Sequence, residues 1–149
     1  MIQKPFLIYL ADDDADDREL FKEALSEIET DVFIADFDNG VSLIDHLLNP
    51  QNRLPDVIYL DLNMPLMNGE ECLDDIKNEQ KLSKIPIIIY STYVDEDTSD
   101  RLKNKGANGF LTKPSSFSEL KNSLHSSLKY VYSNSQNPSS FQEFIIHTP

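Results

Sequence analysis

Four places in the chain carry side chains that could act together. Asp12, Asp13 and Asp14 follow the apolar run FLIYLA, and Asp61 and Asn63 follow VIYL. Ser91 and Thr92 follow IIIY, and Lys113, next to Pro114, follows GFLT. Carboxylates that converge oppose one another: two unit charges about 4 Å apart cost roughly 4 kcal/mol at an effective dielectric of 20. A hard divalent cation with oxygen ligands offsets this, and Mg²⁺ suits a shallow site because it keeps several waters and takes only one or two carboxylates. An ammonium such as that of Lys113 adds positive charge from another side. A carboxylate held between a metal and an ammonium can attack a phosphoryl group, and the Ser91 hydroxyl can then donate to a phosphoryl oxygen.

Each residue alone has a plainer reading. The Asp12–Asp14 cluster could be a solvated turn, Asp61 a turn former, Ser91 or Thr92 a helix cap, and Lys113 a surface charge. The plain reading needs four coincidences at four strand ends, so the joint reading is preferred. Asp14 is the exception, because its position opens a helix and fits a cap.

The elements that must position these residues are legible from patterning. The runs Phe6 to Ala11, Val32 to Phe37, Val57 to Leu62 and Ile85 to Ser91 read as strands, and GFLTKP from Gly109 as a weaker fifth. The first, third and fourth are apolar throughout, as in strands covered on both faces. Helical spacing lies between them: Leu20, Phe21, Ala24, Leu25 and Ile28; then Leu43, Ile44, Leu47 and Leu48; then Cys72, Leu73 and Ile76. The segment DEDTSDRLKNKG offers almost only Leu102 for burial, which predicts a weakly held, mobile helix. A last helix from about Ser116 carries Phe117, Leu120, Leu124, Leu128 and Val131. Five strands alternating with helices predict an α/β fold, a doubly wound parallel sheet with helices on both faces. In such a sheet ligands bind beyond the carboxyl ends of the strands, which is where the acids, the hydroxyls and the amine fall.

Composition agrees with one soluble domain. The chain has 149 residues, with 40% hydrophobic and 26% charged. Its net charge of −13 repels nucleic acid and anionic lipid. No apolar run approaches the roughly 20 residues that span a bilayer, and the start lacks the pattern of a signal peptide. A cytoplasmic location is therefore expected. Cys72, the one cysteine, reads as a buried small hydrophobe. His46, His125 and His147 are dispersed, which disfavours a histidine metal site. Gly69 is read as permitting the turn that starts the third helix. The stretch SNSQNPSSFQEFIIHTP turns apolar at Phe141 and reads as a tail, either docking or disordered.

These residues resemble the receiver domains of bacterial two-component response regulators, from about Phe6 to Tyr132. The resemblance rests on the acidic pair Asp12 and Asp13, the aspartate within DLNMPLMNG, Ser91 ending strand four, and the dipeptide Lys113–Pro114. It implies a flavodoxin-like (βα)5 sheet of order 2-1-3-4-5, with a receiver over 1–132 and a tail over 133–149. It implies Asp61 as phosphoacceptor, Asp12, Asp13, Asp61 and Asn63 around Mg²⁺ (Asn63 through its backbone carbonyl), and Lys113 pairing with the phosphoryl group. A cis bond before Pro114 would aim that lysine inward. Ser91 and Phe110 become the switch pair, with Phe110 where many relatives carry Tyr. Asn63 and Tyr93 occupy positions that tune hydrolysis of the aspartyl phosphate. The wording of ADDDADDREL and GANGFLTKP looks most like the stand-alone receivers found beside hybrid or phytochrome-type kinases. The implied partners are a sensor histidine kinase or phosphotransfer protein and a downstream protein, with homodimerisation a further option. The module would have intrinsic self-phosphorylation and self-dephosphorylation only and would not be an enzyme in its own right. Two competing readings are a phosphatase using an aspartyl phosphate, which would want an acid where Asn63 stands, and a degenerate binding scaffold.

Overall fold

The computed structural model describes residues 5–28, 31–92 and 94–134. Five strands alternate with five helices: β1 (Phe6–Ala11), α1 (Ala15–Ile28), β2 (Val32–Phe37), α2 (Gly40–Leu48), β3 (Val57–Leu60), α3 (Gly69–Asn78), β4 (Ile87–Ser91), α4 (Glu96–Asn104), β5 (Gly109–Thr112) and α5 (Phe117–Asn134). The strands form one parallel sheet in the order β2-β1-β3-β4-β5. This is the flavodoxin-like fold expected. Tyr93 and the tail from residue 135, including Phe141 to Ile146, lie outside the described residues.

β3 and β4 are buried along their whole length because apolar clusters cover both faces. One cluster joins Leu43, Ile58, Leu73, Ile76, Ile87, Ile89, Leu102 and Phe110 beneath α2, α3 and α4. The other joins Ile8, Phe21, Leu25, Tyr59, Ile88, Leu124 and Val131 beneath α1 and α5. Each fully buried aliphatic or aromatic side chain contributes about 1.5–3 kcal/mol, so the central strands are the most firmly held part of the sheet. Inside the second cluster Tyr59 and Ser127 share a buried 2.6 Å hydroxyl–hydroxyl hydrogen bond, and Phe21 packs edge-on against Tyr59 and Tyr90.

Several expectations shift. Leu20 and Leu48 are exposed rather than packed: Leu20 falls at the edge of the α1 stripe, and Leu48 closes α2 where no element covers it. β3 ends at Leu60 and not Leu62, and β4 begins at Ile87 because Pro86 has no N–H to donate. Cys72 is fully buried, as its stripe predicts, and burial pushes its thiol up to about 12.

α4 buries only Ser99 and Leu102, in line with its polar sequence. It is also held by charge. Arg101 bridges to Glu70 at 2.8 Å, and Lys105 to Glu70 and Asp74 at 3.0 Å each, tying α4 to α3. Gly106, just past this helix, takes φ 107°, a left-handed conformation suited to glycine.

Candidate functional site

The site forms where four strands end on one rim. Asp61 follows β3 directly, and its N–H still pairs with Ala11 O at 2.9 Å, so the sheet ladder fixes the backbone from which its side chain projects. The Ser91 hydroxyl, at the end of β4, donates to Asp61 Oδ1 at 3.0 Å. The Asn63 N–H reaches the same oxygen at 3.3 Å. The Lys113 ammonium donates to Asp61 Oδ2 at 3.1 Å. Asp61 is thus buried with both carboxylate oxygens occupied by donors from three segments.

The lysine reaches inward without a cis bond. No peptide bond among the described residues is cis, so the expected cis linkage before Pro114 is corrected. The physical reason lies in the ladder: Lys113 N–H donates to Ser91 O at 2.8 Å, extending the β4–β5 pairing one residue beyond Thr112. Strand register, not proline isomerism, aims the side chain.

Asp12 follows β1 and has no exposed surface. Its N–H pairs with Phe37 O, and its Oδ1 accepts from the Asp14 N–H at 3.0 Å. Its Oδ2 lies 2.8 Å from Lys113 Nζ, a charge contact that is not an aligned hydrogen bond, which leaves this buried oxygen without a donor. Burial pushes the Asp12 carboxyl up to about 6 against the opposing pull of Lys113. Lys113 has the reverse balance: burial lowers it, but Asp12, Asp17 and Asp61 overcome that and hold it charged. Asp14 caps α1 as expected, its Oδ1 accepting from the Asp17 N–H at 3.1 Å.

Asp12, Asp13 and Asp61 each present an oxygen within 4.8 Å of the others. Two are buried and Asp13 is exposed. An all-oxygen set of three converging carboxylates, one of them open to solvent, fits a hard divalent cation. The side chain of Asn63 is exposed, while Phe110 is buried under the α2–α4 face.

Patterning overlooked three contributors. Asp17, on the first turn of α1, accepts from Lys113 Nζ at 2.9 Å. Arg18 donates to the Asp12 carbonyl at 2.8 Å and to Asp36 at 3.0 Å, fastening the end of β1. The Tyr90 ring centroid lies 5.5 Å from Lys113 Nζ. The one trace of Asp17 in the sequence is a second acidic pair, Asp16 and Asp17, four residues after the first, and nothing in it points to Lys113. Gly69 also has a different role from the one expected. A Cβ there would stand 2.1 Å from the Asp61 carbonyl oxygen, so the glycine permits α3 to start against the backbone of Asp61. Beside the site, Leu66 has φ 70° and is 80% exposed, at the centre of a tight turn in which Met67 N–H donates to Pro65 O at 2.7 Å.

The order 2-1-3-4-5 and a rim of three acids, one amine and one hydroxyl define a doubly wound α/β domain with its site at the strand carboxyl ends. Residues 8–125 match the family described as the response regulator receiver domain, and the chain belongs to that family. Receiver domains are the phosphoacceptor modules of two-component signal transduction and take phosphoryl groups from histidine kinases or phosphotransfer proteins.

Among curated proteins, the probable methanogenesis regulatory protein FilR2 of Methanothrix harundinacea is 28% identical, over 86% of this chain and 84% of that protein. The nitrate/nitrite response regulator protein NarL of Escherichia coli is 33% identical over 83% of this chain but only 55% of its own length. This chain spans a quarter of the chemotaxis protein CheV1 of Helicobacter pylori. Among solved structures, the phosphorylated cyanobacterial phytochrome response regulator RcpA superposes with a TM-score of 0.80 at 27% identity, covering 87% of this chain and 96% of that one. The Mn²⁺-bound form of response regulator Rcp1 gives 0.72 at 26% identity, covering 91% and 96%.

Proposed function

We infer that Asp61 accepts a phosphoryl group from the phosphohistidine of a sensor histidine kinase or phosphotransfer protein. The observation that carries this is the convergence on one buried carboxylate of the Lys113 ammonium at 3.1 Å and the Ser91 hydroxyl at 3.0 Å, beside Asp12 and Asp13. An Asp61 oxygen forms a bond to phosphorus as the P–N bond breaks and returns the donor histidine. Positioning and charge do most of the work in such a transfer. Asp13, Asp61 and the Asn63 carbonyl would hold Mg²⁺, with Asp12 organising them. That ion, when bound, neutralises charge building on the phosphoryl oxygens.

Once Asp61 is phosphorylated, the Ser91 hydroxyl is free to turn from Asp61 Oδ1 to a phosphoryl oxygen. Phe110 sits on the neighbouring strand and responds by a change of packing. The pair then biases the surface of α4, β5 and α5 between two arrangements, and a gap of a few kcal/mol suffices. The output is contact with another protein, with self-association a second route.

Incubation with Mg²⁺ and acetyl phosphate, followed by intact mass, is expected to add one phosphoryl group. Asp61→Asn abolishes the addition. Wild-type protein that gains no mass under these conditions contradicts the reading.

A further inference from the structure

Lys113 has three N–H donors and a crowded set of acceptors. It donates to Asp61 Oδ2 at 3.1 Å and to Asp17 Oδ2 at 2.9 Å, and stands 2.8 Å from Asp12 Oδ2 without an aligned bond. The three carboxylates differ in what the reaction does to them. Asp61 becomes an acyl phosphate, and its carboxylate charge gives way to that of the phosphoryl oxygens. Asp12 belongs to the acidic set that fits a cation. Asp17 belongs to neither, since it lies outside that set and on another element, the first turn of α1.

We propose that Asp17 is a positioning residue that tethers the Lys113 ammonium at the rim throughout phosphoryl transfer. The inference rests on the phosphoacceptor reading of Asp61 and extends it to a residue outside the acidic pair, the hydroxyl and the lysine.

Two observations support a tether rather than an incidental surface pair. Asp17 is itself fixed, because its N–H is bonded to the Asp14 cap at 3.1 Å and it sits within a well-packed helix. Asp17 and Lys113 also both line a cleft of about 270 Å³ that includes Tyr90, Pro114 and Phe117. Without Asp17, the long, flexible side chain would keep only the Tyr90 ring and the unaligned Asp12 contact once its bond to Asp61 is given up, and could swing into that space. With Asp17 in place, one donor is retained while another turns from Asp61 to the phosphoryl oxygen. The ammonium keeps its place and little reorganisation is needed at the moment of transfer.

The test compares Asp17→Ala and Asp17→Asn with wild type. At saturating Mg²⁺, Asp17→Ala is expected to phosphorylate from acetyl phosphate about tenfold more slowly, with Mg²⁺ affinity within twofold. Asp17→Asn keeps an acceptor oxygen at the same reach and is expected to stay within about threefold of wild type. A second readout needs no metal or phosphodonor. Reductive methylation of Lys113, followed by peptide mass, is expected to be several-fold faster in Asp17→Ala than in wild type, with the thermal midpoint unchanged. Undiminished phosphorylation and unchanged methylation in Asp17→Ala overturn the tether alone. Wild-type protein that takes no phosphoryl group fails the phosphoacceptor reading first, and the tether with it.

Discussion

Asp12 is enclosed at the end of β1 with one oxygen lacking an aligned donor, and Asp13 and Asp61 add negative charge within 4.8 Å. Burial raises its carboxyl to about 6. A carboxyl raised in the folded state holds its proton more firmly than in the unfolded chain. Its contribution to stability is full below the unfolded value of 3.8 and is lost as the pH rises through about 6. At neutral pH the ionised group therefore opposes folding, as expected of a rim shaped to receive a cation. In chelator-treated protein, Asp12→Asn should raise stability at pH 7.5 by on the order of 3 kcal/mol, because each tenfold change in proton affinity is worth roughly 1.4 kcal/mol and the rise from 3.8 to about 6 is about two of them. Denaturant melts at pH 7.5 and pH 4 check this: the gain should shrink towards the lower pH. A variant less stable than wild type at pH 7.5 would show that the Lys113 contact outweighs burial.

At the scale of elements, the start of α3 governs where Asp61 can sit. The capping box between Asn68 and Glu71 fixes the first turn, and Gly69 lets that turn rest on the Asp61 carbonyl. Gly69→Ala places a methyl 2.1 Å from that oxygen, so the backbone must move. Overpacking of this kind costs about 1–3 kcal/mol. The expected result is a lower thermal midpoint together with slower phosphorylation, because the displaced atom belongs to the acceptor residue itself. A variant that melts earlier but phosphorylates normally would separate the two.

The strands were legible because β1, β3 and β4 are covered on both faces, and continuous runs such as IIIY leave little else to propose. The strand-end residues Asp12, Asp61, Ser91 and Lys113 were legible for the same reason: fixing the strands fixes the rim. Asp17 was not, because a first-turn acid reads as a favourable partner of the helix dipole until the lysine that faces it is seen. The Lys113–Pro114 bond misled because the dipeptide alone does not show how far the β5 ladder extends. Leu20 and Leu48 were misassigned because helical spacing defines a stripe, while only the neighbouring elements decide how wide a stripe they cover.

For the whole molecule, the two apolar clusters lie on opposite faces of one sheet, and the site stands at the edge they share. Phe110 reports to the α2–α4 face, while Tyr90 and Leu111 report to the α1–α5 face. A change at Asp61 can therefore reach either layer through β4 and β5. The proposed boundary near residue 132 separates this unit from the tail. Protein ending after Asn134 is expected to unfold in one cooperative transition and to phosphorylate at the full-length rate. Loss of either property would make the tail part of the receiver. No helix among the described residues is long and apolar enough to cross a membrane.

The most direct measurement is chemical trapping of the acyl phosphate. Protein phosphorylated from acetyl phosphate is reduced with borohydride, which converts an aspartyl phosphate to homoserine, and the modified position is located by peptide mass. The expected result is homoserine at position 61 alone. Conversion at position 12, 13 or 17 with position 61 untouched, or phosphorylated protein that yields no homoserine, would contradict the account.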